Sequence, residues 1–371
     1  MKQTLLVKLV PAPEQAKALL ATLESFNAAC NHLAGLAFAA RSANKYALQK
    51  QAYHATREKF GLSAQMAVRA ISKVCEAFKR DRTKRPEFRP HGAMAYDERI
   101  MSWKGLDTVS LLTLSGRILV PVRMGDYQAG RIDRKCGQAD LIFRDGKWFL
   151  AVTVDAPEEE PFAPLDVLGV DFGIVQIASD SDGKQHSGGT LLGLRRRHRR
   201  LRGRLQAKGT KSAKRLLKKR RRKETRFQRD VNHCISKELV AKAKDTQRAI
   251  ALEDLKGIRE RIRSKKPQRA TLSSWAFGQL RAFIAYKAEQ VGVPLRIVDP
   301  RNTSRTCPAC GHVDKANRQS QALFLCVRCR CTGNADLFAA ENIRRAAVSP
   351  PYGSPTFGTV GPSPQDLAWW R

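Results

Sequence analysis

The sequence predicts an α+β protein of several domains: an antiparallel β-barrel interrupted by a helical insert, then an α/β domain that carries an inserted zinc ribbon. Three observations lead there. Apolar residues keep helical spacing through much of 11–78, and short β-type runs divided by turn signals occupy 109–154. Nearer the carboxyl end, two cysteine pairs stand 15 residues apart among further strand and helix patterns.

The opening stretch MKQTLLVKLVPAP alternates as a strand does. Helix then begins at Pro13-Glu14-Gln15. Leu19, Leu20, Leu23, Phe26 and Cys30 form one apolar stripe, and Ile71, Val74, Cys75 and Phe78 a later one, as expected of a small bundle's core. A basic break, Lys79 to Pro86, ends it. The β-type runs Val109–Leu114, Ile118–Val122, Ala139–Phe143 and Trp148–Val154 follow, parted by Ser115-Gly116 and Asp145-Gly146. The barrel is therefore expected in 1–10 and 86–160, with 11–85 as the helical insert. Glu158-Glu159-Glu160-Pro161 reads as a linker.

From Pro164 onward the pattern changes. Val167, Leu168 and Val170 lack clean alternation and read as a strand buried on both faces, with Asp171 near its end. Gly173, the run Ile174–Ala178 and the turn Ser181-Asp182-Gly183 extend it into a meander. Val231, Ile235, Leu239 and Val240 mark a helix, Ala249–Leu252 a strand ending at Glu253, Ser273–Val291 a helix and Pro294–Val298 a strand. A last helix spans about Asp336–Ala347. These pieces make an α/β domain of 164–300 and 332–348 around a ribbon of 301–331, and the Pro- and Gly-rich 349–371 is expected to be disordered.

Charge points to the partner. Lys and Arg number 68 against 34 Asp and Glu, a net +34 that favours a polyanion, most simply nucleic acid. Between Leu194 and Asp230 there are 19 basic and 2 acidic residues, half of the excess in one segment. Arg196, Arg200, Arg204, Lys218 and Arg222 are its candidate phosphate contacts. No apolar run is long enough to span a membrane, and the amino end lacks a secretory pattern. Four of nine cysteines are scattered and five cluster at 307–331, a usage that suggests metal in a reducing cytoplasm.

Two constellations carry chemistry. Cys307, Cys310, Cys326 and Cys329 pair as two knuckles, and four thiolates make a closed, structural Zn²⁺ site. Cys331 could replace Cys329 as the fourth ligand; His312 is not needed. The second set is Asp171, Glu253 and Asp336. Three hard carboxylates from two strands and a helix start can hold Mg²⁺ or Mn²⁺ for phosphodiester hydrolysis. Each has a plainer reading: Asp171 bonded to a turn, Glu253 in a salt bridge to the basic helix, Asp336 as a helix cap. The order meander, helix, strand, helix, strand, helix is what an RNase H-like fold requires.

At these residues the chain resembles the TnpB family of transposon-encoded RNA-guided nucleases, relatives of type V CRISPR effectors. GVDFGI (169–174) is similar to the first RuvC motif, LEDL (252–255) to the second and NADLFAAENI (334–343) to the third. VDPRNTSRTCPACG (298–311) resembles the approach to the family's zinc ribbon. The resemblance implies a wedge-type barrel, a helical recognition insert and a RuvC nuclease domain with a lid loop at Ile258–Ala270. It also implies a guide RNA (an omega RNA from the transposon end), a double-stranded DNA target and a prokaryotic, nucleoid-associated, monomeric protein. The basic helix of 195–229 would lie against the guide or heteroduplex, and Arg305 would contact the scissile phosphate. Two positions depart from the family: Phe338 stands where it has Asn, and Arg330 where it has Gly, which should strain that turn.

Three functions remain in play: a guided nuclease, a cleavage-deficient guided DNA-binding repressor, and a basic zinc-ribbon protein with unrelated carboxylates. A compact CRISPR effector would differ from the first in the source of its guide. The third predicts that Asp171, Glu253 and Asp336 do not converge.

Overall fold

The computed structural model describes residues 1–220, 223–255, 257 and 275–348. The chain divides into two compact units, Met1–Pro157 and Glu158–Arg371. The boundary falls where the Glu158-Glu159-Glu160-Pro161 linker begins.

In the first unit seven strands form one sheet: β1 (Lys2–Leu9), β2 (Met94–Tyr96), β3 (Met101–Lys104), β4 (Thr108–Thr113), β5 (Gly116–Arg123), β6 (Lys135–Arg144) and β7 (Lys147–Asp155). Their order is β2-β6-β7-β1-β5-β4-β3, so the opening strand sits at the sheet's centre. It pairs with β7 along its whole length, Lys2 opposite Asp155 to Leu9 opposite Trp148. The sheet curls towards closure, and the Tyr96 hydroxyl on β2 donates to Leu112 O on β4 at 2.9 Å. The sequence pattern gave no sign of β2 and β3, which are too short to show a period.

Three helices intervene between β1 and β2: α1 (Pro13–Ala39), α2 (Lys45–Phe60) and α3 (Ala64–Arg80). Asn44 and Ser63 cap the second and third. Leu19, Phe26, Ile71 and Val74 pack in one buried cluster with Val7, Leu111, Leu141 and Leu150, so insert and sheet share a core.

The second unit is built on a five-stranded sheet: β8 (Asp166–Asp171), β9 (Gln176–Asp180), β10 (Gln185–Ser187), β11 (Arg248–Glu253) and β12 (Leu295–Val298). The order is β10-β9-β8-β11-β12, antiparallel through the meander and parallel from β8 to β12. Buried Asp180 closes the β9–β10 turn and takes an ion pair from Lys242 at 2.6 Å, so its charge is not left alone in the core.

The basic segment is not one helix. It forms α5 (Gly189–Lys208) and α6 (Lys211–Arg220), and α7 (Lys223–Asp245) follows; the short α4 (Asp126–Ala129) belongs to the first unit. Gly209, at φ +64°, ends α5 in the left-handed conformation open to glycine, and the Thr210 hydroxyl accepts from Ala213 N to start α6. After β11 come α8 (Phe277–Gln290) and β12, then a small ribbon with β13 (Leu323–Leu325) and β14 (Thr332–Asn334), then α9 (Ala335–Val348). The β13–β14 pairing carries the ribbon to Asn334, beyond the expected boundary at 331. The expected lid at 258–270, the tail at 349–371 and Arg222 lie outside the described residues.

Candidate metal and nucleic-acid site

Side-chain alternation sets the geometry. Leu168 and Val170 of β8 and Ile250 and Leu252 of β11 face one side of the sheet, in a cluster with Leu239 of α7 and Ile284 of α8. The alternate residues, Val167 on β8 and Ala249 and Ala251 on β11, pack with Ile343 and Ala347 of α9. The period of two therefore turns Asp171 and Glu253 towards the α9 side as well. Val170 and Leu252 are register partners in the parallel pair, so Asp171 and Glu253 leave their strands side by side at the same end. Small residues bring the helix in. A Cβ on Gly169 would collide with Ala340 O and lie 2.6 Å from Arg344 N. Asp336, buried on the first turn of α9, faces the same end.

Asp336 and Glu253 have partners other than those the plainer readings give them. The cap of α9 is Asn334, whose Oδ1 accepts from Asp336 N at 3.0 Å and Leu337 N at 3.2 Å. Asp336 is free of that task and instead accepts from Arg318 Nη2 at 2.9 Å. Among the described residues Glu253 accepts a short hydrogen bond from the Thr303 hydroxyl, and none from the basic helices. Burial, then the charges of Glu253 and Asp336, push the Asp171 carboxyl up to about 8, against the pull of Arg318 and the Phe172 N–H. Burial likewise raises Glu253, opposed by Thr303 and Arg318. Asp171 thus feels the charge of the other two acids, and Arg318 pulls against it; among the described residues the three do not have carboxylate oxygens all within 4.8 Å of one another. Their hard oxygens suit a divalent cation, which would relieve the repulsion on Asp171.

Sequence reasoning missed Arg318 and Thr303. Both lie outside the three carboxylate motifs, and only the fold of the ribbon and its approach brings them in.

The cysteines are gathered more tightly. Cys307, Cys310, Cys326 and Cys329 are the one such group, among the described residues, whose ligand atoms all lie within 4.8 Å of one another. The Sγ atoms of Cys307 and Cys329 are 3.5 Å apart, those of Cys310 and Cys326 3.6 Å. Ligands at 2.3 Å around a tetrahedral zinc sit about 3.8 Å from one another, so the set fits that ion. Cys329 is the fourth member; Cys331 lies outside the set and offers its backbone carbonyl to Cys326 N at 2.9 Å.

The two knuckles repeat each other. Gly311 N donates to Cys307 O at 3.0 Å, and Arg330 N to Cys326 O at 3.0 Å. Gly311 has φ +71° and Arg330 φ +62°, so the arginine does stand in a left-handed turn. Phe338 points into the ribbon: its ring packs on Gly333 and meets Phe324 edge-on at 5.3 Å.

Of the candidate phosphate contacts, Arg196, Arg200 and Arg204 stand exposed four residues apart on α5, Lys218 is exposed on α6 and Arg305 is exposed just before Cys307. The inner side of α5 is held instead by Glu224 of α7, 3.5 Å from Arg195 and 3.4 Å from Arg202. Among the described residues no helix is long and apolar enough to cross a membrane.

Known proteins share this arrangement. The family description "Cas12f1-like, TNB domain" matches residues 277–343, which run from α8 through the ribbon to α9. The chain is 32% identical over 249 residues to the CRISPR-associated endodeoxyribonuclease Cas12f1 of Sulfoacidibacillus thermotolerans, covering 62% of this chain and 56% of that protein. It is 37% identical over 131 residues to a TnpB-like protein of Methanocaldococcus jannaschii, covering 35% and 46%. The chain spans about half the length of these relatives. A cryo-EM structure of a Cas12f1–sgRNA–target DNA complex superposes with TM-score 0.63 at 12% identity, over 93% of this chain and 98% of that one, a likeness of fold. Residues 277–343 therefore match a Cas12f1-like TNB domain, and the chain around them has the TnpB/Cas12 fold and is similar to the Cas12f1 and TnpB-like proteins.

Proposed function

We propose that the chain is an RNA-guided DNA endonuclease whose nuclease site is Asp171, Glu253 and Asp336. The observation that carries this reading is that three acids from β8, β11 and α9, Asp336 buried and Asp171 and Glu253 half-buried, lie at one end of a sheet ordered β10-β9-β8-β11-β12. That order, with the second face covered by α9, supports an RNase H-like, RuvC-type domain. The names of its relatives support guided cleavage of DNA.

The three carboxylates would hold Mg²⁺ or Mn²⁺, which supplies activation of water and stabilisation of the leaving oxygen in phosphodiester hydrolysis. The remaining work belongs to the chain's own residues. Thr303 holds Glu253 by its hydroxyl and Arg318 holds Asp336 by its guanidinium. Arg318 also sets a fixed positive charge beside the acids, where an incoming phosphate would otherwise meet only negative groups. Zinc on the four cysteines would keep the ribbon, and hence Arg318, in place. The exposed arginines of α5, Lys218 of α6 and Arg305 would grip phosphates of the guide, heteroduplex or cut strand. Sequence reading would be left to base pairing.

A cleavage-deficient binder is the second reading, for which Phe338, at the family's Asn position, would be the first suspect. The ring is committed to Gly333 and Phe324, and Asn334 and Arg318 fix Asp336 without it.

The test starts from protein purified with its own RNA. That RNA is sequenced, and matching duplex with a randomised flank is incubated with Mg²⁺ and wild type or Asp171→Ala. Cleavage by wild type alone supports the proposal and yields the flanking motif; the RNA's origin, a transposon end or a repeat array, separates TnpB-like from CRISPR use. RNA-dependent binding without cleavage would overturn it in favour of the repressor.

A further inference from the structure

Glu253 has a longer side chain than its two partners and more rotamer freedom to lose when it becomes a ligand. A metal site needs that freedom removed beforehand. Among the described residues the donor to its carboxylate is the hydroxyl of Thr303, 7% exposed. That hydroxyl has one proton and a second acceptor nearby, Pro300 O at 3.1 Å. The charged carboxylate is the stronger acceptor and takes it.

Thr303 is itself pinned. Asn342 of α9, 8% exposed, donates from Nδ2 to Thr303 O at 2.8 Å and to Thr306 O at 2.8 Å. Helix α9 thus contributes Asp336 directly and fixes Glu253 at second hand, through an amide and a hydroxyl. The pinned segment runs straight into Cys307.

We infer that Thr303, clamped by Asn342, is a positioning residue that presents Glu253 to the cation. The inference rests on the reading of Asp171, Glu253 and Asp336 as the nuclease's metal site. Hydrogen-bond partners of metal-bound carboxylates are worth about 10–100-fold in affinity or activity.

The experiment titrates Mn²⁺ into the full chain with its co-purified RNA and follows the free ion by electron paramagnetic resonance. Asp171→Ala supplies the background from RNA and surface sites. Thr303→Val keeps the shape and removes the hydroxyl; Thr303→Ser keeps the hydroxyl and removes the methyl group. The expected result is at least about tenfold weaker Mn²⁺ binding for Thr303→Val, with Thr303→Ser within about twofold of wild type and zinc content unchanged in both. The Mg²⁺ concentration that half-saturates cleavage should rise in parallel, while guided DNA binding holds. Wild-type affinity in Thr303→Val would overturn the inference, as would equal loss in both variants, which would mark the methyl packing as the cause. Should Asp171→Ala and wild type bind Mn²⁺ alike, the carboxylate reading itself fails and the inference with it. Asn342→Leu, scored only if its zinc content is intact, should weaken Mn²⁺ binding as Thr303→Val does.

Discussion

Arg318 of the ribbon donates to Asp336 of α9 at 2.9 Å, so the small cysteine-bound module reaches into the acidic site with a cation. That charge also pulls against the elevation of Asp171 and Glu253. Arg318→Ala should leave Asp171, Glu253 and Asp336 without that compensating charge. Cleavage of matched duplex is expected to slow by roughly 10–100-fold, with guided binding retained in a gel-shift assay. Arg318→Lys should recover part of the rate, since it keeps charge but not the planar fork.

Asp171 sits near 8 when folded and 3.8 in the reference state, so the metal-free folded chain holds this proton more tightly than the unfolded one. Its contribution to stability is present below about pH 4 and is lost as pH rises through 8. Asp171→Asn cannot lose a proton. Thermal melts without divalent ions should show the variant gaining on wild type with rising pH, by about 1–3 kcal/mol at pH 8. Adding Mg²⁺ should narrow the gap by stabilising wild type, and the variant should not cut DNA.

Arg330 occupies a left-handed turn that Gly311 occupies in the facing knuckle. Arg330→Gly should stabilise the zinc-loaded protein by about 1 kcal/mol in denaturant titration. Gly311→Ala should cost a similar amount.

Removing zinc should act through two arms. Arg318 lies beside Asn317, whose amide holds Arg305 O at 2.9 Å and His312 O at 3.1 Å, and Thr303 precedes Cys307. Chelation is expected to free the ribbon to proteases and abolish cleavage together, while a fragment close to Met1–Pro157 survives limited digestion.

Gly169 lets α9 lie against β8. Gly169→Ala should lower the midpoint of thermal unfolding by the equivalent of about 1–3 kcal/mol, the usual range for overpacking, and weaken Mn²⁺ binding as Asp336 is pushed outward.

What could be read from the chain followed from how local each signal was. The cysteine pairs and the acids at the ends of Val167–Val170 and Ala249–Leu252 stand out because spacing and buried strands are short-range patterns. The break lay in Gly209-Thr210, a left-handed stop followed by a hydroxyl cap, set in a strongly basic segment read as one helix. Strands β2 and β3 were too short to register. Thr303 and Asn342 stood inside the stretches 298–311 and 334–343 and Arg318 outside any motif, but all three gain their roles only from distant partners, Glu253, Asp336 and the 303–306 backbone.

The seam between β8 and α9 also fixes a schedule. During translation Asp171 leaves the ribosome early in the second unit, Glu253 later, and Asp336 with Asn342 almost at the end of the described chain. A nascent polypeptide arrested after β11 and before α9 would carry its basic helices and two of the acids, yet have neither the third acid nor the amide that seats the second. Such a product could still adhere to nucleic acid, but it would be harmless to it.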